Sequence, residues 1–311
     1  MKTALFFLFF LFAGQSFASN LLDTTFTIDG GRSLGMEAGE KSEWRFFYVN
    51  PTNGMKHKMF MKMHAKPMHM IIIRDDYSHI AHVHPYFDMM KAEFSLDLNV
   101  ATSPDFDNQN VVGAIPTGGR YFVFTEVMPM GLSNENPMVM NRFEVEASGT
   151  PAPEAQLDYP EGKDGIDLYF NSNGEKSSEG AMYKVTFTYE QFDFCSMWLP
   201  KFYFEWFKKE RNGTYMRADN FERWLEMGAH SILIDNDHQN LADKIFYHLH
   251  AFLPMSTKGE FVFPYHDHKR ELPEGRYKIW GQFKREGKVF TVPVSFSYTR
   301  PADFPLSNKC K

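Results

Sequence analysis

Short runs in which Val, Ile, Phe, Tyr and Trp alternate with polar residues recur along most of the chain, bounded by Gly, Pro, Asn and Asp. A two-residue period puts alternate side chains on opposite faces of a strand, so these runs predict strands rather than helices. Residues 44–49, 183–189 and 202–207 carry the pattern most clearly, and 141–146 and 290–296 repeat it. Asn212-Gly213 marks a hairpin turn that sets 202–210 beside 214–217. One stretch reads differently: residues 221–227 are expected to form one or two helical turns behind an N-cap at Asp219 or Asn220.

The pattern occurs twice. The first copy reads His69-Met-Ile-Ile-Ile-Arg-Asp-Asp-Tyr-Ser-His79-Ile-Ala-His82-Val-His84-Pro85. The second reads His230-Ser-Ile-Leu-Ile-Asp-Asn-Asp, then Lys244-Ile-Phe-Tyr-His248-Leu-His250. Each copy has a His, a β-branched run, an Asp/Asn turn, a second run and His-x-His. Downstream, Gly119-Arg120-Tyr121 and Gly275-Arg276-Tyr277 each open a further strand. Six histidines fall in 57–84 and six in 230–268. Such self-similarity points to an internal duplication. The expected architecture is all-β: two tandem antiparallel β-sandwich domains, Ig-like or cupredoxin-like, at 22–147 and 161–300. The small, Pro-rich stretch 148–160 is the expected linker, and 301–311 a C-terminal tail.

The beginning of the chain predicts export. Lys2 precedes an apolar run at 5–13, shorter than the ~20 residues of a membrane span. Ser16-Phe17-Ala18 then supplies small residues at a cleavage site. Residues 1–18 are therefore expected to be a signal peptide, and the mature protein periplasmic or secreted, with no membrane span. The net charge of -6 on 311 residues, 43% of them apolar, excludes a basic nucleic-acid footprint and a disordered chain. Two cysteines, Cys195 and Cys310, are too few to build a disulfide scaffold; they either pair or stay free.

The histidines carry the candidate chemistry. If 66–87 is a hairpin with His69 facing His84, then Ile71 faces His82, and His69, His82 and His84 share one face. Pairing His230 with His250 does the same for His230, His248 and His250, across a loop five residues longer. Three convergent imidazoles suit Zn²⁺ or Cu²⁺. Residues 54–70 add six Met, with Met59, Met61 and Met63 expected to alternate along one strand face. Thioether sulfur suits Cu(I). His57, His64, His79, His238, His266 and His268 are lesser candidates. No Gly-x-Ser-x-Gly, Walker loop, dinucleotide fingerprint or His-Glu-x-x-His occurs, and neither Cys adjoins a His cluster, which argues against a blue-copper site.

At 66–85, and more loosely at 116–124, the chain resembles a family of exported bacterial Ig-like β-sandwich proteins with a His, apolar run, Asp turn, His-x-His-Pro signature. In the second copy 221–230 resembles the same family's approach to its first His, while Ala251 stands where the signature has Pro. The resemblance implies an association with copper and heavy-metal handling. The expected function is copper binding, buffering or delivery. The alternatives are a non-enzymatic envelope module that binds another envelope protein through sandwiches with structural histidines, and a copper-dependent oxidoreductase. An enzyme is the less expected outcome, because no acid–base or substrate pocket is legible.

Overall fold

The computed structural model describes residues 22–31, 34–98, 113–132, 138–153, 155, 157–194, 197–251, 259–265 and 271–300. The expected signal peptide, Cys195, Cys310, His266, His268 and the C-terminal tail lie outside them. The chain divides between Pro153 and Glu154 into two compact units.

The first unit contains β1 (Asp23–Ile28), β2 (Gly35–Glu37), β3 (Ser42–Val49), β4 (Phe60–Met61), β5 (Met68–Arg74), β6 (Ile80–Val83), β7 (Tyr86–Asp88), β8 (Glu93–Leu98), β9 (Gly119–Pro129) and β10 (Val139–Ser148). One sheet has the order β1-β3-β8-β7; the other runs β2-β10-β9-β5-β6, with β4 against the end of β9. All pairings are antiparallel except β2 with β10. The core lies between the sheets. Trp44, Phe46 and Phe94 contribute from one, and Met70, Ile72, Val123 and Val145 from the other. A buried polar network crosses it: Asn141 donates to the Tyr48 hydroxyl at 3.3 Å and accepts from Thr24 at 2.9 Å, and the Tyr48 hydroxyl lies 3.4 Å from that of Thr125. Burial pushes the Tyr48 phenol well above its ordinary range, so it stays a neutral donor.

The second unit contains β11 (Ile166–Phe170), β12 (Lys176–Ser177), β13 (Tyr183–Phe194), β14 (Met197–Lys209), β15 (Tyr215–Arg217), β16 (Phe221–Glu222), β17 (His230–Asp235), β18 (Phe246–His250), β19 (Glu260–Pro264), β20 (Gly275–Arg285) and β21 (Lys288–Tyr298). Here β12-β11-β13-β14-β15, with β19 on β14, faces β16-β20-β17-β18, with β21 on β20. Phe202, Phe204 and Trp206 of the aromatic run are fully buried core residues. The Asn212-Gly213 turn pairs Phe207 with Arg217, the hairpin the sequence predicts.

The duplication is physical as well as textual. The order β10-β9-β5-β6 matches β21-β20-β17-β18 strand for strand. Tyr121 donates its hydroxyl to the Thr117 carbonyl and Tyr277 to that of Pro273, both at 2.8 Å, the tyrosine corner of Greek-key sandwiches. The Arg before each Tyr reaches the hairpin turn: Arg120 meets Asp75 at 3.2 Å and Arg276 meets Asp237 at 2.7 Å.

The helical expectation for 221–227 is corrected. Phe221 and Glu222 form strand β16, because Phe221 is needed in the core beside Trp206 and Phe261. Trp224 and Met227 then close a tight turn with reciprocal backbone bonds, and Leu225 and Glu226 take left-handed backbone angles at its centre. The first unit has the same turn: Met63 and Lys66 exchange backbone bonds around left-handed His64 and Ala65. Two positive φ values in a two-residue turn are the type I′ signature, ordinarily filled by Asn-Gly.

Candidate metal centres

Each histidine hairpin forms in the expected register. Ile71 lies opposite His82 on β5 and β6, with His84 one residue past the end of β6. On β17 and β18, His230 lies opposite His250 and Ile232 opposite His248. In β5, Met68, Met70 and Ile72 point into the sandwich core, so His69 and Ile71 point away from it. That second face is buried too, since every residue of β5 is buried. A strand covered on both sides reads as a continuous apolar run, which accounts for Ile71-Ile72-Ile73.

The imidazoles converge. In the first unit the ring centroids are 5.4 Å (His69–His82), 4.8 Å (His69–His84) and 4.7 Å (His82–His84) apart. In the second the matching separations are 5.4, 4.9 and 4.5 Å. In each triad one nitrogen per ring lies within 4.8 Å of the others. A tetrahedral ion at ~2.0–2.1 Å from each nitrogen needs them about 3.3 Å apart, so small ring rotations suffice. The triads differ in cover: His69, His82 and His84 are each 1% exposed, whereas His230 is buried and His248 and His250 are half-buried.

Hydrogen bonding fixes the tautomer of His69. Its Nε2 lies 2.8 Å from the Met63 carbonyl, an acceptor only, so Nε2 carries the proton. Nδ1 is then the lone-pair nitrogen. It points at His82 Nε2, 3.1 Å away. A ring N–H tied to a backbone carbonyl, with the other nitrogen facing a cluster, is the usual support of a ligating histidine. Burial holds His69 below the ordinary imidazole range, offset in part by the Met63 carbonyl and Glu126. It is therefore neutral at physiological pH, the form a metal needs.

Sequence reasoning missed the residue opposite the first histidine. Glu126 on β9 pairs with His69, and Gln282 on β20 pairs with His230. Both are buried. Burial pushes the Glu126 carboxyl up to about 7, against the pull of His69 and His64. The available signal was the shared spacing of Glu126 and Gln282 from the Gly-Arg-Tyr turn.

The methionines fall differently from expectation. The strand carrying them covers only Phe60 and Met61, and Met59 continues its register through the bond from Met130 N–H to the Met59 carbonyl. Met63 leaves the strand for the type I′ turn, where its carbonyl holds His69. The regular strand thus ends at Met61, and Met63 lies beyond it in the antiparallel bridge with Lys66 that closes the turn. Among the lesser candidates, the His64 ring packs 6.3 Å from His69. His57 bonds the Met59 carbonyl through Nε2, and His238 pairs with Asp235 at 2.6 Å. Burial lowers His79. None of these four belongs to a triad.

No protein-family model matches the chain and no curated protein is similar to it. Among solved structures, the native conformation of E. coli alpha-2-macroglobulin aligns over 92% of this chain at 11% identity with a TM-score of 0.23. The chain spans 14% of that protein's length. Among the described residues no helix is long and apolar enough to cross a membrane.

Proposed function

We propose that this chain is an exported metal-binding protein that buffers or delivers copper, with Zn²⁺ the competing ion. The observation that carries the reading is the repetition of one imidazole triad, with matching ring separations, on equivalent hairpins of two sandwiches. Two copies of a fold share a core because cores are needed for folding. Three polar side chains packed together on the sheet face away from that core are costly to cover and serve no such need, and their recurrence in the same geometry argues for a ligand. His69, His82 and His84 would hold one ion; His230, His248 and His250 would hold a second. Bound copper supplies affinity for soft and borderline ligands and a one-electron couple. The protein's part is to keep each imidazole neutral and aimed.

One observation favours the alternative, an envelope module with structural histidines. The chain from His82 through His69 to the Met63 carbonyl satisfies its members without an ion. Titration of the mature protein with Cu²⁺ and with Zn²⁺, followed by calorimetry, separates the two. The metal reading expects up to two equivalents, one lost in His82→Ala/His84→Ala and the other in His248→Ala/His250→Ala. Unchanged stoichiometry in both variants leaves the histidines structural.

A further inference from the structure

The histidine triads leave unexplained a second feature of the first unit: methionine side chains on the surface. Met59 is 58% exposed, Met61 37% and Met130 39%. A single exposed methionine is ordinary, and Met90 and Met216 are exposed too; what calls for explanation is several of them gathered on one pair of strands.

The register explains where they are. Met61 on β4 pairs with Met128 on β9, and the next step outward sets Met59 against Met130, joined by the Met130 N–H to Met59 carbonyl bond of 2.9 Å. Between them Phe60 pairs with Pro129. Phe60 points inward, with ring contacts to Tyr48, Phe87 and Phe94 at 5.0–5.5 Å. Side chains alternate, so Met59, Met61, Met128 and Met130 all lie on the opposite, outward face as two cross-strand pairs. Directly opposed Cβ atoms are roughly 4.5–5.5 Å apart, within which flexible thioether arms can bring their sulfurs together. Met128 is also one same-face step along β9 from Glu126, which faces His69.

The second unit supplies the comparison. Its equivalent ribbon, β16 against β20, pairs Phe221 with Arg285 in place of Phe60 with Pro129. Where the first unit has Met61 opposite Met128, it has Glu222 opposite Lys284, an ion pair at 3.7 Å. Glu286 stands in the place of Met130. The same fold position is thus an ordinary charged, solvated surface in one copy and a thioether ladder in the other. Folding does not require methionine there.

We infer that Met59, Met61, Met128 and Met130 form a surface site for a soft monovalent cation, Cu(I) or its analogue Ag(I), separate from the histidine triads. Thioethers bind such ions and discriminate against Zn²⁺, Mg²⁺ and Ca²⁺. Met63, which leaves the strand, takes no part. The site extends the copper reading, yet it stands on different residues and is tested apart from it.

The test uses the full mature chain with methyl-¹³C-labelled methionine, titrated with Ag(I). The four ladder methyls should shift together at the first equivalent, while the core methyls of Met68 and Met70 stay in place. In Cu(I) competition with a chromogenic chelator, the variant with all four residues changed to Leu should lose one Cu(I) equivalent and keep its Zn²⁺ binding at the triads. Leu preserves apolar volume, so its melting curve should match the parent. His82→Ala/His84→Ala should keep the ladder equivalent. Unmoved ladder methyls, or full Cu(I) stoichiometry in the Leu variant, overturn the inference whatever the triads do. If only the triad variants leave metal binding unchanged, the histidine reading falls and the ladder stands.

Discussion

Glu126 and Gln282 occupy the same position in the two sandwiches, each directly across the strand pair from the first histidine of its triad. The duplicated frame therefore carries a titratable carboxyl beside one cluster and a neutral amide beside the other. The Glu126 carboxyl sits at about 7 in the folded protein, above the ordinary 4.5, chiefly through burial. Its proton is held by the folded state and released by the unfolded one between those values. Stability is accordingly lost as pH rises from about 4.5 to about 7.

Glu126→Gln should therefore melt above the parent at pH 8, and the difference should close as pH falls toward 4.5. Thermal melts across that range check it. If Glu126 also steadies His69 toward an ion, the same variant should lose about 10–100-fold in Cu²⁺ affinity at the first triad, and Glu126→Asp should recover part of it.

The type I′ turns hold two left-handed non-glycine residues each, among them Ala65 at φ 71° and Glu226 at φ 66°. Left-handed backbone costs an L-residue about 1–2 kcal/mol, part of which glycine returns through the entropy of the unfolded chain. Ala65→Gly and Glu226→Gly should each stabilise by about 0.5–1 kcal/mol in denaturant titrations. Ala65→Val should destabilise.

Gly119 and Gly275 begin equivalent strands, but their surroundings differ. A Cβ on Gly275 would lie 2.5 Å from Asp237 Oδ2, the carboxylate that ties the hairpin turn to Arg276. On Gly119 it would meet the Arg74 side chain at 3.1 Å. Gly275→Ala should cost about 2–3 kcal/mol and Gly119→Ala about 1 kcal/mol, because a long arginine yields where a doubly bonded aspartate does not.

Lys278 is buried, with its ammonium 3.0 Å from the Ser295 hydroxyl and 5.8 Å from the Trp280 ring centre. Burial, with some help from Lys176, lowers it to about 8. The unfolded chain binds this proton more tightly, so the penalty is complete below about pH 8 and fades as pH rises toward 10.5. Lys278→Met should stabilise the second unit at pH 7 by on the order of 2–3 kcal/mol. At pH 10.5 it should do so much less.

What the sequence made legible was whatever depends on neighbours along one hairpin. The β-branched runs around Ile71 and Ile232 mark the strands, the Asp/Asn turns set the register, and together they place six histidines in two clusters. What escaped depends on distant pairing or unusual backbone. Glu126 is 57 positions from His69, and only the β5–β9 pairing brings them together. Leu225 and Glu226 look helical because nothing in their side chains announces left-handed angles that glycine would signal openly. Met63 shares the spacing of Met59 and Met61, but His64 and Ala65 turn the chain behind it. Met128-Pro-Met130 is visible as a motif, yet its partner strand is not.

The near-complete cover of His69, His82 and His84 bears on exchange rates as much as on affinity. A chelator in solution has no path to nitrogens held on a sheet face from which water is excluded. An ion seated there would leave only when the chain covering that outer face opens locally, so its release should level off at a ceiling as chelator is added, set by that opening. The half-buried His248 and His250 impose no such gate, and release from the second cluster should keep climbing with chelator concentration. One molecule would then carry a slow reservoir and a fast one, built from the same three side chains and told apart by how often the protein breathes.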